Sequence, residues 1–426
     1  MPERAARPAK PVGRAAADAR FVDSQPARLH TSAVVLKKAP TFEPIVSYQK
    51  ENSIYKIHCL NNISEKGTGL LTDAYQLTDD MSEATGVLVR SAAMHDMEFP
   101  ESLLAIGRAG AGVNNIPLDR CADEGIVVFN SPGANANAVK ELGVCGMLLA
   151  SRGIVGGIDW CKENADDENI GKSAEKAKKA FAGNEILGKK LGVIGLGAIG
   201  RLVAEAGEAL GMEIMGYDPF APADNPYRNT EDVNDIYRNC DYITIHVPAM
   251  EYTKGMINAE ACALMNGAVV LNFSRDTLVD AEGIAVALEA GQVRCYVTDF
   301  ATPAVMKMPN TIVLPHLGAS TAEAEENCAI MATNELMDFI ERGVIDKSVN
   351  FPAIDAGELA EGNAHIVVLH TAAAAEAVAA AAGTVAAAAT RGERAVTIAD
   401  VAAADAQATA EALAAVEGVA RARVLA

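Results

Sequence analysis

Three residues able to do chemistry each follow an apolar run directly. Arg275 stands in NFSRDTLVD, Asp299 closes YVTDF, and His316 stands in LPHLGAST. If those runs are strands of an open α/β sheet, all three fall at strand C-termini, where such sheets bind their ligands. A guanidinium offers a planar fork for a carboxylate, and an imidazole changes charge near neutrality, so it can give and take a proton. Taken singly, His316 is equally a satisfied structural histidine and Arg275 a surface cation. Their convergence is what points to a site.

A fourth pattern sits upstream, in KKLGVIGLGAIGRLVAEAGEALGMEIMGYDP. Gly195, Gly197 and Gly200 form G-x-G-x-x-G after the apolar run 191–194, a helical run follows to Gly211, and Asp218 ends the next apolar run eighteen residues after Gly200. That order suits a dinucleotide. The first glycine makes the tight turn, the second lets backbone approach a pyrophosphate, and the third packs helix on strand. The helix N-terminus faces the phosphates, and the acid takes the adenosine ribose hydroxyls. Asp218 repels a ribose 2′-phosphate, so the expected cofactor is NAD rather than NADP.

These residues need a frame, and the 426-residue chain is long enough for two to four domains. With 36 basic against 56 acidic side chains its formal charge is −20, which argues against nucleic acid as a partner and makes each arginine informative. Its eight cysteines are scattered singly without a C-x-x-C pair. They read as reduced thiols of a cytoplasmic protein, with no metal site implied. No apolar run approaches the ~20 residues of a membrane span. Residues 1–47, rich in Ala, Arg and Pro, read as a disordered extension. Short β-type runs at 53–59, 86–90, 104–108 and 126–130 alternate with helical or turn segments, which predicts a parallel α/β unit. A long helical run over 139–164 and a charged stretch lead into the nucleotide unit, whose later strands are 242–246, 267–273, 295–300 and 311–315. The expected division is a substrate-binding domain over 48–144 and 306–345, with the NAD-binding domain 145–305 inserted in it. A linker over 346–362 and a small domain over 363–426 follow.

The motifs VLVRSAAM, GRAGAGVNNIPLD, GLGAIG, DYITIHVP, NFSRD, VTDF and PHLGAST, in that order, resemble the D-isomer-specific 2-hydroxyacid dehydrogenases. Within them the chain resembles the branch that oxidises 3-phospho-D-glycerate to 3-phosphohydroxypyruvate, at the entry to serine biosynthesis, and carries a C-terminal ACT-type domain. The resemblance implies a Rossmann-type NAD-binding domain inserted in a flavodoxin-like substrate-binding domain, and a homodimer or homotetramer. It makes His316 the acid/base at the C2 oxygen and Arg275 the partner of the α-carboxylate. Arg90, Ser91, Arg108 and the backbone of Gly110, Ala111 and Gly112 would hold the substrate's anionic groups. Ala198 and Ile199 would lie by the pyrophosphate, and Val247 and Pro248 by the adenosine half. Phe273, Ser274, Asp299, Gly318 and Ala319 would lie around the nicotinamide. Another D-2-hydroxy acid, such as 2-hydroxyglutarate or D-lactate, is the competing substrate, and a catalytically silent NAD-sensing scaffold the competing class.

Two departures from that family stand out. DFATPAVMKMPN offers no acid beyond Asp299, where relatives carry a glutamate that supports the catalytic histidine, and Ala111 replaces a common threonine. The tail resembles a βαββαβ ACT-like domain, but thirteen of the twenty residues 371–390 are alanine. The polar groups with which relatives bind serine are missing there. A loosely packed module without serine control is expected, and with it retention of catalysis on truncation after Pro352.

Overall fold

The computed structural model describes residues 45–48, 54–222 and 224–425. Disorder over residues 1–44 concerns positions outside these. The extension as drawn to residue 47 is corrected, because β1 (Ile45–Tyr48) is a strand.

The first sheet takes β2 (Tyr55–Cys59), β3 (Tyr75–Thr78), β4 (Gly86–Val89), β5 (Ala105–Arg108) and β6 (Val127–Asn130). All are parallel in the order β3-β2-β4-β5-β6, the flavodoxin-like arrangement. Both faces are covered, so β4 is buried at every position and the strands read as continuous apolar runs rather than alternating ones. One face packs Leu88, Val127 and Phe129 against Cys328, Leu336 and Phe339. The other packs Val87, Ile106 and Val128 against Met94, Ile116 and Cys121.

The second sheet takes β7 (Lys190–Ile194), β8 (Glu213–Tyr217), β9 (Tyr242–Ile245), β10 (Ala268–Asn272), β11 (Val293–Thr298) and β12 (Thr311–Val313). Its order is β12-β11-β10-β9-β7-β8, and a parallel bridge from Gly216 to Arg228 marks a seventh position beyond β8. Counting that bridge, the first half has the 3-2-1 order of a mononucleotide-binding unit. β12 lies inside the expected second segment of the substrate domain yet pairs with β11, so the boundary placed after residue 305 is corrected.

The helices in chain order are α1 (Glu65–Thr68), α2 (Leu118–Asp123), α3 (Ala136–Ser151), α4 (Ile154–Glu163), α5 (Ile170–Ala177), α6 (Ala198–Ala209), α7 (Val233–Asn239), α8 (Ala259–Ala263), α9 (Ala281–Ala290), α10 (Ala322–Arg342), α11 (Ala375–Ala382) and α12 (Ala406–Ala414). The expected helix over 139–164 is two: the chain turns by 68° between α3 and α4, at Arg152, which is extended, and Gly153. The charged stretch contains α5. α3 lies against α6 and β10 and so belongs to the nucleotide unit from its first turn. No single described helix is long and apolar enough to cross a membrane.

The third sheet joins β13 (Asn363–Thr371), β14 (Val385–Arg391), β15 (Arg394–Ala402) and β16 (Val419–Leu425), with β1 added in parallel beside β16. Its order is β1-β16-β13-β15-β14, and the last four pair antiparallel in βαββαβ sequence. The alanine run does not stay helical: at Gly383 the backbone leaves the helix (φ 72°) and the next alanines form β14. The loose module is corrected too. Ile366, Val368, Val378, Leu413 and Val424 make a core with α11 and α12. On the opposite face Val367, Leu369, Val396 and Ile398 pack with Phe339, Ile340 and Phe351. The expected linker contributes Phe351 and Ile354 to that interior, and Ile345 bridges Ile354.

Candidate active site

The nucleotide side begins where β7 ends. Gly195 has φ +90°, and a Cβ there would stand 2.5 Å from the His246 carbonyl oxygen, so glycine is required. A Cβ on Gly200 would stand 1.8 Å from the Gly195 oxygen. Beside Gly197, by contrast, a Cβ meets nothing within 4 Å. That open space adjoins the N-terminus of α6, whose first turn carries no side-chain cap. Free backbone N–H groups beside an open space are a phosphate cradle. Asp218 accepts from the backbone N–H of Leu196 and of Phe220, both at 2.9 Å, which ties the glycine turn to the end of β8. Gly195, Gly197, Asp218, Val247 and Pro248 line one cleft, together with His246 and Tyr252. His246 pairs its Nε2 with Thr244 Oγ1 at 2.8 Å and leaves Nδ1 without a partner; burial pushes its pKa down to about 4.

At the other end of this sheet Asp299 is 2% exposed. Its Oδ2 accepts from Gly318 N–H at 2.9 Å, while Oδ1 is buried and has no partner. A buried unpartnered carboxylate oxygen calls for a donor from a ligand, and a carboxamide N–H₂ supplies one. An open cradle, an acid at the end of the second strand and an orphaned acceptor at the end of the fifth together fit NAD. Phe273 is an exception to the expected nicotinamide neighbours: its ring is buried against Gly146 of α3, so only its backbone is available to a ligand. Ser274 donates to the Ile245 carbonyl at 2.7 Å and thereby closes the end of β9.

On the substrate side Arg90 follows β4 and Arg108 ends β5. Asn61 Oδ1 accepts three backbone N–H groups, from Arg90, Ser91 and Ala92, at 2.8, 2.9 and 3.1 Å, and so shapes the loop that presents Arg90. Arg108 donates only to the Ala109 carbonyl at 3.3 Å, and its Nε is buried without a partner. Gly110 sits at φ +141°, a backbone conformation that favours glycine, with that guanidinium packed beside it. Burial first, and then the neighbouring Arg275 and Arg90, hold the Arg108 pKa below its usual value. Cations that repel one another and keep free donors favour an anion between them.

Arg275 is aimed by Asn272, which is fully buried: its Nδ2 donates to the Arg275 carbonyl at 2.8 Å and its Oδ1 accepts from Ser274 N–H at 3.1 Å. A Cβ on Gly112 would lie 3.2 Å from Arg275 Nη2, which places the arginine over the loop after β5. The carbonyl of Ala111 accepts from Asn130 at 2.6 Å, fixing that loop. His316 adopts φ +41°, an uncommon region for a non-glycine residue, held by its N–H on the Asp299 and Leu314 carbonyls at 2.9 and 3.1 Å. Its exposed ring meets Phe300 edge-on at 5.2 Å. Among the described residues no carboxylate lies within bonding distance of that ring.

Arg90, Arg108, Gly110, His316 and Ala319 thus line one pocket, with Asn135 and Glu325. A Cβ on Gly133, in the loop after β6, would stand 3.3 Å from that of Ala198 at the start of α6. Four residues at the site carry no sequence signal of their own. Asn61 and Asn272 act through backbone neighbours, Asn135 leaves a buried Oδ1 unpartnered in the pocket, and Glu325 pairs with Arg90 at 2.5 Å.

Comparisons with known proteins agree with this geometry. Residues 144–318 match the family described as D-isomer specific 2-hydroxyacid dehydrogenase, NAD binding domain. The D-3-phosphoglycerate dehydrogenase of Methanocaldococcus jannaschii is 33% identical over 309 residues, covering 69% of this chain and 57% of that protein. The chain therefore spans little more than half the length of that relative. The hydroxypyruvate reductase of Thermotoga maritima is 31% identical over 315 residues, covering 68% of this chain and 99% of the reductase. Among solved structures, NAD⁺-bound 3-phosphoglycerate dehydrogenase of Entamoeba histolytica superposes with a TM-score of 0.57 at 25% identity, covering 70% of this chain and 99% of that one. The chain belongs to the D-isomer-specific 2-hydroxyacid dehydrogenase family, and its second sheet lies in the NAD-binding domain of that family.

Proposed function

We propose that this chain catalyses the NAD-dependent oxidation of 3-phospho-D-glycerate to 3-phosphohydroxypyruvate, the first step of L-serine biosynthesis. The observation that carries the reading is that Arg90 and Arg108 line the pocket that holds His316, with Arg275 as a further charged neighbour of Arg108 over the loop at Gly112. Two anionic groups on one small substrate would use three guanidiniums where a single carboxylate needs one. NAD, when bound, supplies the hydride acceptor for C2. The chain's own residues do the rest. Arg275 forks the α-carboxylate and fixes the face of C2 that is presented. His316 takes the hydroxyl proton as the oxygen becomes a carbonyl, and returns it in the reverse direction. Arg108 and Arg90 take the distal phosphate. Asp299 Oδ1 orients the carboxamide of the nicotinamide, and Asp218 the adenosine ribose. Ala111 and Gly112 supply backbone at the substrate, where Ser91 and Gly110 shape the loops that carry Arg90 and Arg108. Ala198, Ile199 and Ala319 supply it at the cofactor, with Gly318 holding Asp299.

A second reading, a dehydrogenase for another D-2-hydroxy acid, is favoured by one feature: Glu325 already holds Arg90, so part of the positive charge is answered within the protein. Self-association as a homodimer or homotetramer is supported by the exposed apolar residues Leu148, Ile154, Val155 and Ile158 on α3 and α4. Eight free cysteines support a reducing, cytoplasmic setting.

NADH formation from a panel of D-2-hydroxy acids tests the reading. 3-Phospho-D-glycerate should give the highest kcat/KM, above D-glycerate, D-lactate and D-2-hydroxyglutarate. No turnover of that acid, with brisk turnover of another, would replace it.

A further inference from the structure

We infer that Glu325 sets the pocket's discrimination between 2-hydroxy acids with one anionic group and those with two, by answering the charge of Arg90 inside the protein. The inference rests on the proposed dehydrogenase reading and goes beyond it, to a residue outside the acid/base and carboxylate-binding set.

Arg90 and Glu325 both line the pocket that contains His316 and Arg108. Their side chains meet at 2.5 Å, and each is 40% exposed, so the pair stands in the mouth of the pocket rather than in the core. Glu325 lies in the first turn of α10, where the N-cap hydroxyl of Thr321 accepts from Ala324 N–H at 3.1 Å. A helix N-terminus favours a negative side chain at that place. Arg108 and Arg275 have no carboxylate partner among the described residues, so of the three guanidiniums only Arg90 is paired within the protein. The balance is three positive groups against one negative.

That balance has opposite consequences for two kinds of substrate. A singly charged acid places its carboxylate on the unpaired guanidiniums and leaves the Arg90–Glu325 pair as it stands. The same carboxylate of Glu325 can then accept a hydrogen bond from a distal hydroxyl. A phosphorylated acid brings close to two further charges. Its phosphate needs Arg90, so Glu325 must either turn out to solvent or remain and repel it. Either way Glu325 opposes the phosphorylated substrate and leaves the singly charged one untouched. At a few ångströms, with the partial screening of a half-exposed site, one such charge is worth about tenfold in affinity.

Calorimetric titration of the NADH-saturated protein with 3-phospho-D-glycerate and with D-glycerate tests this without requiring turnover. In Glu325→Gln, 3-phospho-D-glycerate should bind about tenfold tighter, while D-glycerate stays within about threefold of wild type. The ratio of kcat/KM values for the two acids should move in the same direction. In an Arg90→Gln background the Glu325→Gln change should have a smaller effect, because the pair has already been broken. An unchanged ratio, or one moved toward D-glycerate, overturns the inference. So does equal weakening of both acids, which would mark Glu325 as a support for the loop, or an altered pH profile of turnover common to both acids, which would make it a partner of His316. Discriminating binding without oxidation of either acid would instead remove the dehydrogenase reading and leave the role of Glu325 standing.

Discussion

In the pocket beside His316, arginines keep donors in reserve: Arg108 has a buried Nε with no partner and stands near two other guanidiniums. On β16, at the seam between the C-terminal sheet and the rest of the chain, two arginines are buried more deeply and give most of their bonds to backbone carbonyls, although Arg421 Nε and Arg423 Nη1 are also buried without a partner. Arg421 donates to the Glu101 and Glu124 carbonyls at 3.1 and 3.3 Å. Arg423 donates to the carbonyls of Phe339 and Ile340 at the end of α10, and lies over the Phe339 ring at 5.2 Å. They are 2% and 4% exposed, and burial pushes both pKa values down to about 10. The same side chain is therefore a docking group where its donors are free and a clasp where carbonyls take them. Guanidinium suits the second task because its several N–H groups can meet more than one carbonyl at once, including that of Ile340 at the end of α10, otherwise unpartnered among the described residues.

The largest effect expected on the functional side is at His316. His316→Ala should lower kcat by a factor on the order of 10²–10⁴ while NADH affinity, read by fluorescence titration, stays near wild type. An unchanged kcat would remove His316 from the chemistry. On the structural side, deleting residues 363–426 uncovers Phe339, Ile340 and Phe351, which pack against Val367, Leu369 and Val396. This packing is set against the expectation that truncation after Pro352 spares catalysis. The shortened chain should unfold at a markedly lower denaturant concentration and lose activity with it, and full activity with an unshifted midpoint would show that the seam is dispensable. The smallest effect is expected from L-serine. Residues 372–375 after β13 are all alanine, so a zwitterion stripped of water finds few replacement hydrogen bonds. Millimolar L-serine should leave initial rates unchanged, and clear inhibition would reveal a site elsewhere in the module.

How legible each of these regions is in the sequence follows from what fixes it. The glycines at 195 and 200 are demanded by backbone clashes within one turn, so their spacing alone announces the nucleotide unit. Arg275, Asp299 and His316 are announced by their place after apolar runs. Asn61, Asn272 and Glu325 are silent because each acts across the fold: Asn61 bonds a loop 29 to 31 residues away, and Glu325 meets an arginine from another strand. β14 is silent for another reason. Its run VAAAATR has the composition of a helix, and it becomes a strand only because Gly383 breaks α11 and β15 offers a free edge to pair with. Its largely exposed alanines show no alternation for the eye to find. The arginines of β16 alternate as a polar face would, but β16 is buried on both faces, and nothing local says that Arg421 meets the Glu101 and Glu124 carbonyls and Arg423 the end of α10.

The contrast between reserved and committed arginines is tested most directly by making one substitution in each region and measuring both properties in both variants. Arg108→Ala should raise the KM for 3-phospho-D-glycerate on the order of 10²-fold, since a charged hydrogen-bonding group is lost. Its unfolding free energy should stay within about 1 kcal/mol of wild type, because a repelled buried cation is relieved as packing is lost. Arg423→Ala leaves the Ile340 carbonyl without its donor, while Phe339 keeps the Gly343 N–H, and opens a void beside the Phe339 ring. It should reduce the unfolding free energy by about 2–4 kcal/mol with KM nearly unchanged in the folded protein. The opposite pattern, a destabilised Arg108→Ala with ordinary KM or a stable Arg423→Ala with a weakened substrate, would contradict the account.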